Sequence, residues 1–269
     1  MNSNKLKKII DSSASRCKKF RKRILDISQT VTALHAAGAF SSMEIVDILY
    51  NSIMKKGDTF VMSKGHGCIA QYVVLEHKKI LSKKQVDSYC KPNGILGCHP
   101  DYGNPGIEAS TGSLGHGMGI AAGMAHANVI KKINKKIYVV ISDGELQEGS
   151  TWENMMMAAN LNLKNLICIL DHNGSQSFGH TIETHPKFYP IIDKVKSFGF
   201  DCASVNGHSV GKIINKIEKR NKKKPFLLIC NTVKGRGVSF MENKPIWHYR
   251  SPTKEEHKIA IKELKEIYS

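Results

Sequence analysis

Two short apolar runs, twenty-nine positions apart and each broken at its carboxyl end by polar residues and a glycine, constrain this chain most. The first, Ile137-Tyr138-Val139-Val140-Ile141, ends in Ser142-Asp143-Gly144. The second, Leu166 to Leu170, ends in Asp171-His172-Asn173-Gly174, and a helix-compatible segment lies between them. Uninterrupted apolar runs of this length, bounded by turn residues, read as strands buried on both faces. Open α/β sheets bind ligands at the carboxyl ends of such strands. There Asp143 offers a carboxylate and Asn173 an amide oxygen, while Gly144 lets the backbone come close. Hard oxygens beside a close backbone suit Mg²⁺ bridging a diphosphate. The same residues are ordinary turn formers, and spacing alone leaves both readings open.

The remaining pattern places these strands in a larger frame. Leu6, Ile9, Ser13, Cys17, Phe20, Ile24, Ile27 and Val31 recur at three- and four-residue steps, the stripe of an amphipathic helix. Ser41-Ser42-Met43-Glu44 reads as a capping box ahead of Ile45–Tyr50, and Ser82-Lys83-Lys84-Gln85 repeats the signal before Val86. A helix is expected from about Gly115 to Ile130 and another near 151–160. Small residues in the first of these (Gly119, Ala121, Ala122, Gly123, Ala125) suit either close approach to another chain or packing inside one domain. Residues 174–190 lack periodicity and read as a long loop, which is uncommon unless functional. Further along, 193–198 and 210–220 read as helical, 201–205 and 225–232 as strands, and Ser251–Glu256 as the cap of a terminal helix. Strands alternating with helices imply a doubly wound, mostly parallel sheet with helices on both faces. At 269 residues the chain has the size of one α/β domain, 1–269.

Forty Lys+Arg against twenty-three Asp+Glu give a formal net charge of +17. Such a balance can serve nucleic-acid binding. Here the basic residues are dispersed, no recognition motif is present and aromatic interleaving is sparse, so a solvated lysine-rich surface is expected instead. A positive field also helps recruit anionic sugar phosphates or an acidic partner. Seven cysteines without a C-x-x-C pair are expected to be reduced core thiols of a cytoplasmic protein. No apolar run approaches a membrane span, and no signal peptide is expected.

The stretch SDGELQEGSTWE, with Asn173 thirty residues beyond Asp143, resembles the thiamine diphosphate signature in its transketolase form. SKGHG (63–67), LGCHPDYG (97–103), PGIEASTGSLGHGMG (105–119) and TVKGRGVSFMEN…WHY (232–249) resemble further segments of the same family, in the family's order. The likeness extends from about Arg23 to Pro252. It implies the diphosphate-binding, N-terminal domain of a transketolase standing alone as a subunit.

On that resemblance Asp143, Asn173 and the carbonyl of Ser175 are Mg²⁺ ligands, with Ca²⁺ or Mn²⁺ able to replace the ion. Gly144 donates its N–H to a phosphate oxygen, and Gly112-Ser113-Leu114 contacts the aminopyrimidine of thiamine diphosphate, with Ser113 standing where the family commonly has Pro. Glu148 falls at the family's buried glutamate, which meets the partner subunit; without the resemblance it reads as a carboxylate favoured at a helix start. His66 and His248 match histidines near the diphosphate, and His99 matches one that hydrogen-bonds the donor sugar. His35 keeps the family's spacing, although Ala36-Ala37 replaces Pro-Gly and the preceding helix could continue through it. Any one histidine can equally be a packed or surface residue. Those outside the motifs, among them His172, His180, His185 and His208, read as structural or exposed.

The implied reaction moves a two-carbon ketol unit from a ketose or ketose phosphate to an aldose. The implied partner is a C-terminal transketolase subunit carrying the activating glutamate, in a two-plus-two hetero-oligomer. Alternatives are a deoxyxylulose phosphate synthase-like or other thiamine-dependent carboligase subunit, and a catalytically silent basic binding protein on the same fold.

Overall fold

The structure, a computed structural model, describes residues 2–31, 34–177 and 179–267. Five strands form one all-parallel sheet: β1 (Thr59–Met62), β2 (Ile137–Ser142), β3 (Leu166–His172), β6 (Asp201–Asn206) and β7 (Phe226–Asn231). Their order across the sheet is β1-β2-β3-β7-β6. A two-stranded ribbon, β4 (Ser175–Gln176) with β5 (Gly179–His180), stands apart from it. The β2–β3 register pairs Ser142 with Asp171, so the two polar strand ends lie side by side.

Alternation across the sheet explains why the strand sequences look continuously apolar. In β2, Tyr138 and Val140 join one core cluster while Ile137, Val139 and Ile141 join the other. β3 divides the same way, Ile167 and Ile169 against Leu166, Cys168 and Leu170. One face is covered by α1 (Ser3–Ser28), α2 (Ala36–Ser41), α3 (Met43–Ile48), α4 (Cys68–His77), α5 (Lys83–Asp87), α10 (Val210–Lys219) and α11 (Lys254–Ile267). The other carries α6 (His116–Ile130), α7 (Gly149–Asn160) and α9 (Ile191–Ser197). This is the doubly wound arrangement expected from the sequence. At about 1.5–3 kcal/mol for each buried Ile or Leu, both faces must be covered for such a sheet to be stable.

Several local expectations are corrected. β1 has only four residues, too short a run to be recognised in the sequence. α1 ends at Ser28 and does not run through His35, which instead stands at the start of α2. The capping box at Ser41–Glu44 does not form, because both side chains are drawn elsewhere. Glu44 accepts two hydrogen bonds from Arg21 of α1, at 2.7 and 2.8 Å, and pairs with His208. Arg21 also donates to the Phe40 carbonyl. The box at Ser82–Gln85 does form, and Thr253 with Glu256 makes the reciprocal bonds that start α11. The segment 174–190 contains the β4–β5 ribbon and a short helix, α8 (Thr181–Thr184). In α6, Ala121, Ala122 and Ala125 face the chain's own core, and Gly119 abuts Asn154 of α7. Only Gly123 of that small-residue set opens outward. Five of the seven cysteines are buried, Cys98 is half-buried and Cys90 is exposed; all are free thiols.

Arg21 is fully buried on the core-facing side of α1, so its charge depends on Glu44. Burial acts to raise the Glu44 carboxyl, but Arg21 and His208 outweigh it and hold it well below its usual range. Removing one partner of a buried pair leaves an uncompensated charge. Glu44→Ala should therefore lower unfolding free energy by about 3–5 kcal/mol in urea denaturation. A loss below about 1 kcal/mol, the level of a surface ion pair, would refute this role for the pair.

Candidate active site

The carboxyl ends of β1, β2, β3 and β7 meet at one buried carboxylate, Asp171. Lys64, following β1, donates its ammonium to Asp171 Oδ2 and to the Gly38 carbonyl of α2 (2.8 Å). Ser41 of α2 donates to the same Oδ2, and Thr232, just after β7, donates to Oδ1. Lys64 and Asp171 have fully buried side chains. Three segments distant in sequence are thus tied to the end of the central strand. None of these residues was singled out as a site residue in the sequence, where a lysine in SKGHG and an aspartate after an apolar run look like strand-end polar residues.

Each tie positions a candidate histidine. His66 follows Lys64 by two residues, His35 precedes Gly38 by three, and His248 is held by Lys234, two residues after Thr232. The four predicted histidines converge. Ring centroids are 5.4 Å apart for His35 and His66, 5.2 Å for His35 and His248, 5.7 Å for His66 and His248, and 6.5 Å for His35 and His99. Lys234 donates to His248 Nδ1 at 2.8 Å. Burial lowers the His35 pKa to about 3, with the charges of His248 and His99 acting in the same direction. Burial, aided by Lys234 and Lys64, lowers His248 to about 4, and burial holds His66 well below its ordinary value. These three imidazoles are neutral near pH 7. Burial, with the nearby charge of Lys64, also brings the Lys234 ammonium down to about 8.

Beside the histidines lies a cavity of about 410 Å³. Of the predicted residues, His66, Leu114, Gly144, Glu148, Asn173, Ser175 and His248 line it. His35, His99, Gly112, Ser113 and Asp143 do not. Asp143 sits directly behind the wall, where its Oδ2 accepts from the N–H groups of Asn173 (2.7 Å) and Gly174 (2.8 Å). Its Oδ1 is bonded to His172 Nδ1. Burial opposes protonation of His172, but that bond and the Asp143 charge outweigh it and raise its pKa. Asn173 Oδ1 accepts from Ser175 N–H at 3.0 Å. Among the described residues no three His, Cys, Asp or Glu side chains cluster as metal ligands. A metal here would rely on one carboxylate, an amide oxygen and a main-chain carbonyl, an all-oxygen donor set that fits a hard divalent cation. A Cβ at Gly144 would meet nothing in the protein nearer than 3.8 Å, so internal packing does not require glycine there and the room belongs to the cavity.

Gly112 has φ +140°, and a Cβ there would lie 2.8 Å from the His99 ring. The Gly112 backbone therefore buttresses His99, while Ser113 is exposed. Glu148 is exposed in this chain. The buried glutamate is Glu145, bonded to Ser63 and to the Gly115 N–H, its pKa raised by burial to about 7. Gly38, Lys234, Gln176, Thr184 and His185 also line the cavity and were not predicted as site residues. For Gln176, Thr184 and His185 the one signal was the long segment 174–190.

Strand-end oxygens, convergent neutral histidines and an open cavity define a cofactor-dependent α/β enzyme domain. Residues 14–268 match the family described as transketolase, thiamine diphosphate binding domain. The chain belongs to that family. It is 39% identical over 260 residues to an apulose-4-phosphate transketolase subunit of Phocaeicola vulgatus, covering 92% of each chain. It is 37% identical over 242 residues to 6-deoxy-6-sulfo-D-fructose transketolase subunit SqwG of Clostridium sp. strain MSTE9, covering 86% of this chain and 88% of that one. Transketolase from Leishmania mexicana superposes with a TM-score of 0.85 at 26% identity, over 96% of this chain and 41% of the longer one. The chain thus matches two named subunits along nearly their whole length and spans about two fifths of that solved transketolase. It is a thiamine diphosphate-dependent enzyme subunit of the transketolase type.

Two outcomes follow from this geometry. Asp171→Ala should cost about 3–5 kcal/mol, because Lys64 is left buried without its partner. Loss of solubility or of the cooperative urea transition meets the expectation, and a near-wild-type midpoint contradicts it. For pH, a histidine whose folded pKa lies below its ordinary 6.5 binds fewer protons folded than unfolded. Stability is then unaffected by these groups above pH 6.5 and falls as pH drops from 6.5 toward 4. His35→Gln should flatten the thermal midpoint over that window; an unchanged slope would show that His35 is not held neutral.

Proposed function

We propose that this chain is the N-terminal subunit of a two-chain transketolase. It transfers a two-carbon ketol unit from a ketose, or its phosphate, to an aldose acceptor with thiamine diphosphate and Mg²⁺. The observation that carries this reading is the convergence of His35, His66, His99 and His248 beside the cavity that Asn173, Ser175 and Gly144 line. When bound, the cofactor stabilises the carbanion of the transferred fragment. Asp143, Asn173 and the Ser175 carbonyl would hold the divalent ion, and Gly144 N–H a phosphate oxygen. Neutral imidazoles beside the cavity suit acceptance and return of sugar hydroxyl protons. His248 receives a hydrogen bond on Nδ1 from Lys234, so its Nε2 is the atom left to exchange a proton with substrate.

Glu148 is the only glutamate among the cavity-lining residues, adjacent to the Gly144 end. We therefore assign the activating glutamate to a C-terminal partner subunit, in a two-plus-two hetero-oligomer. The names of the two subunit relatives support a partner, and their substrates, apulose 4-phosphate and a sulfofructose, support a donor with an anionic terminus. The outer faces of α6 and α7 expose Ile120, Met156 and Met157, an apolar surface suited to that partner. We treat residues 1–269 as one diphosphate-anchoring domain. Among the described residues no helix is long and apolar enough to cross a membrane; with seven free thiols, we place the chain in the cytoplasm.

One reconstitution series tests the proposal. With saturating thiamine diphosphate and Mg²⁺, the purified chain alone should show no ketol transfer, and a separately made C-terminal subunit should restore it. In the restored enzyme Asp143→Ala should abolish Mg²⁺-dependent cofactor binding. His99→Ala should instead leave that binding nearly intact and lower turnover by about 10²-fold, the scale of a lost acid/base contribution. Substantial turnover by the chain alone, or wild-type cofactor affinity in Asp143→Ala, would overturn the assignment.

A further inference from the structure

At the opposite end of the sheet, where β2 begins, lies a second cavity of about 430 Å³. Four cations line it: Lys55, Lys136, Arg220 and Lys222. They come from the turn before β1, the residue before β2 and the segment between α10 and β7. Glu218 is the one carboxylate in the lining. Elsewhere in the molecule four inward-facing cations are matched by carboxylates, Arg16 to Asp47, Arg21 to Glu44, Arg23 to Glu76 and Lys64 to Asp171, while Lys234 meets His248. Among the described residues none of the four cavity cations has a carboxylate within ion-pair distance. The nearby Asp58 is engaged with the backbone N–H groups of Lys55 (2.9 Å) and Lys136 (3.0 Å).

Arg220 is the most telling member. One terminal nitrogen donates to the Ile217 carbonyl, while its Nε is buried without any partner. A buried guanidinium N–H left unpaired costs free energy, about 1–3 kcal/mol for an ordinary polar group and more for a charged one. An anion in the cavity would not reach that nitrogen, but it would offset the guanidinium charge, which no carboxylate among the described residues balances. The cations also act on one another: burial lowers the Lys136 pKa, the charges of Arg220, Lys55 and Lys222 lower it further, and the nearby Asp58 charge opposes them without reversing the shift. Two chemistries meet in the lining. The cations offer point charges, and Arg220 a planar fork suited to oxyanions. Tyr138 and Ile217 supply apolar surface against which the body of an organic anion could rest.

We infer that this cavity is a second anion site, taking the phosphoryl group of a small molecule and separate from the diphosphate end of the active site. The separation is built into the sheet. Tyr138 stands near the amino end of β2, whereas Asp143 follows its carboxyl end, five residues on and roughly 16 Å away at strand rise.

Inorganic phosphate and phenyl phosphate are the probes, measured by equilibrium dialysis at constant ionic strength set with chloride. The protein is the reconstituted complex, saturated with thiamine diphosphate and Mg²⁺. About one phosphoryl group per chain should bind despite the saturating cofactor. Arg220→Ala and Lys136→Ala should each weaken binding about 10-fold, and Lys222→Gln, an exposed position that does not threaten folding, a few-fold. Arg220→Lys should recover part of the loss. Tighter binding of phenyl phosphate identifies an organic phosphate as the ligand and equal binding identifies free phosphate; either upholds the site. Competition by thiamine diphosphate would place the anion in the active site instead. Unchanged binding in Lys222→Gln together with the Arg220 and Lys136 variants, or none above the chloride background, would overturn the inference.

Discussion

The buried Asp171 carboxylate is the constraint on which the histidine-bearing end of this molecule depends. A charge with no solvent must be matched by charge and hydrogen bonds, so its surroundings are organised to supply them. Lys64, Ser41 and Thr232 do so from three separate segments. Each segment leads within a few residues to a group that lines the cavity: Lys64 to His66, Ser41 back to Gly38, and Thr232 on to Lys234, which holds His248. A polar network of this kind fixes the relative positions of loops that no apolar packing would align so closely. A second buried network, Arg21–Glu44–His208, works behind it. His208 accepts from the Val233 N–H at 2.9 Å, so the loop carrying Lys234 is held from α1 and α3 as well.

The electrostatics of the site follow from this scaffold. Three histidines and two lysines lie close together, where burial and mutual repulsion both favour neutral imidazole. Neutral rings keep both proton-accepting and proton-donating capacity near neutral pH, whereas imidazolium would only donate. The cationic character is left to Lys234 and Lys64. The formal charge of +17 is therefore not spread without consequence: part of it faces inward at the active end, and part rings the cavity at the opposite end of β2.

Particular elements show how much was legible beforehand. β2 and β3 were readable because strands buried on both faces become continuous apolar runs, and α10 because Ile213, Ile214 and Ile217 fall on one helical face. β1 was not readable, since four residues carry too little periodicity. Glu44 gave a false local signal: the S-x-x-E spacing that usually makes a cap was overridden by a guanidinium 23 positions earlier in the chain. The site was legible in the same uneven way. Asp143, Asn173 and the histidines stood out through motif spacing, whereas Lys64, Asp171 and Lys234 were concealed in positions that resemble ordinary strand-end polarity. His99 was visible, but not the Gly112 backbone that supports it, because that contact spans thirteen residues of irregular chain.

The sequence by itself determined the parallel sheet, the strand ends that present oxygens, and membership of a family whose motifs span the chain. These are properties of short segments, set by side-chain period and local turn chemistry. Tertiary structure alone decided which histidines meet, which carboxylate anchors them, which imidazoles stay neutral, and where unmatched cations collect. Burial and through-space charge depend on distances between residues far apart in the chain. Those distances exist only once the sheet has brought its strand ends together.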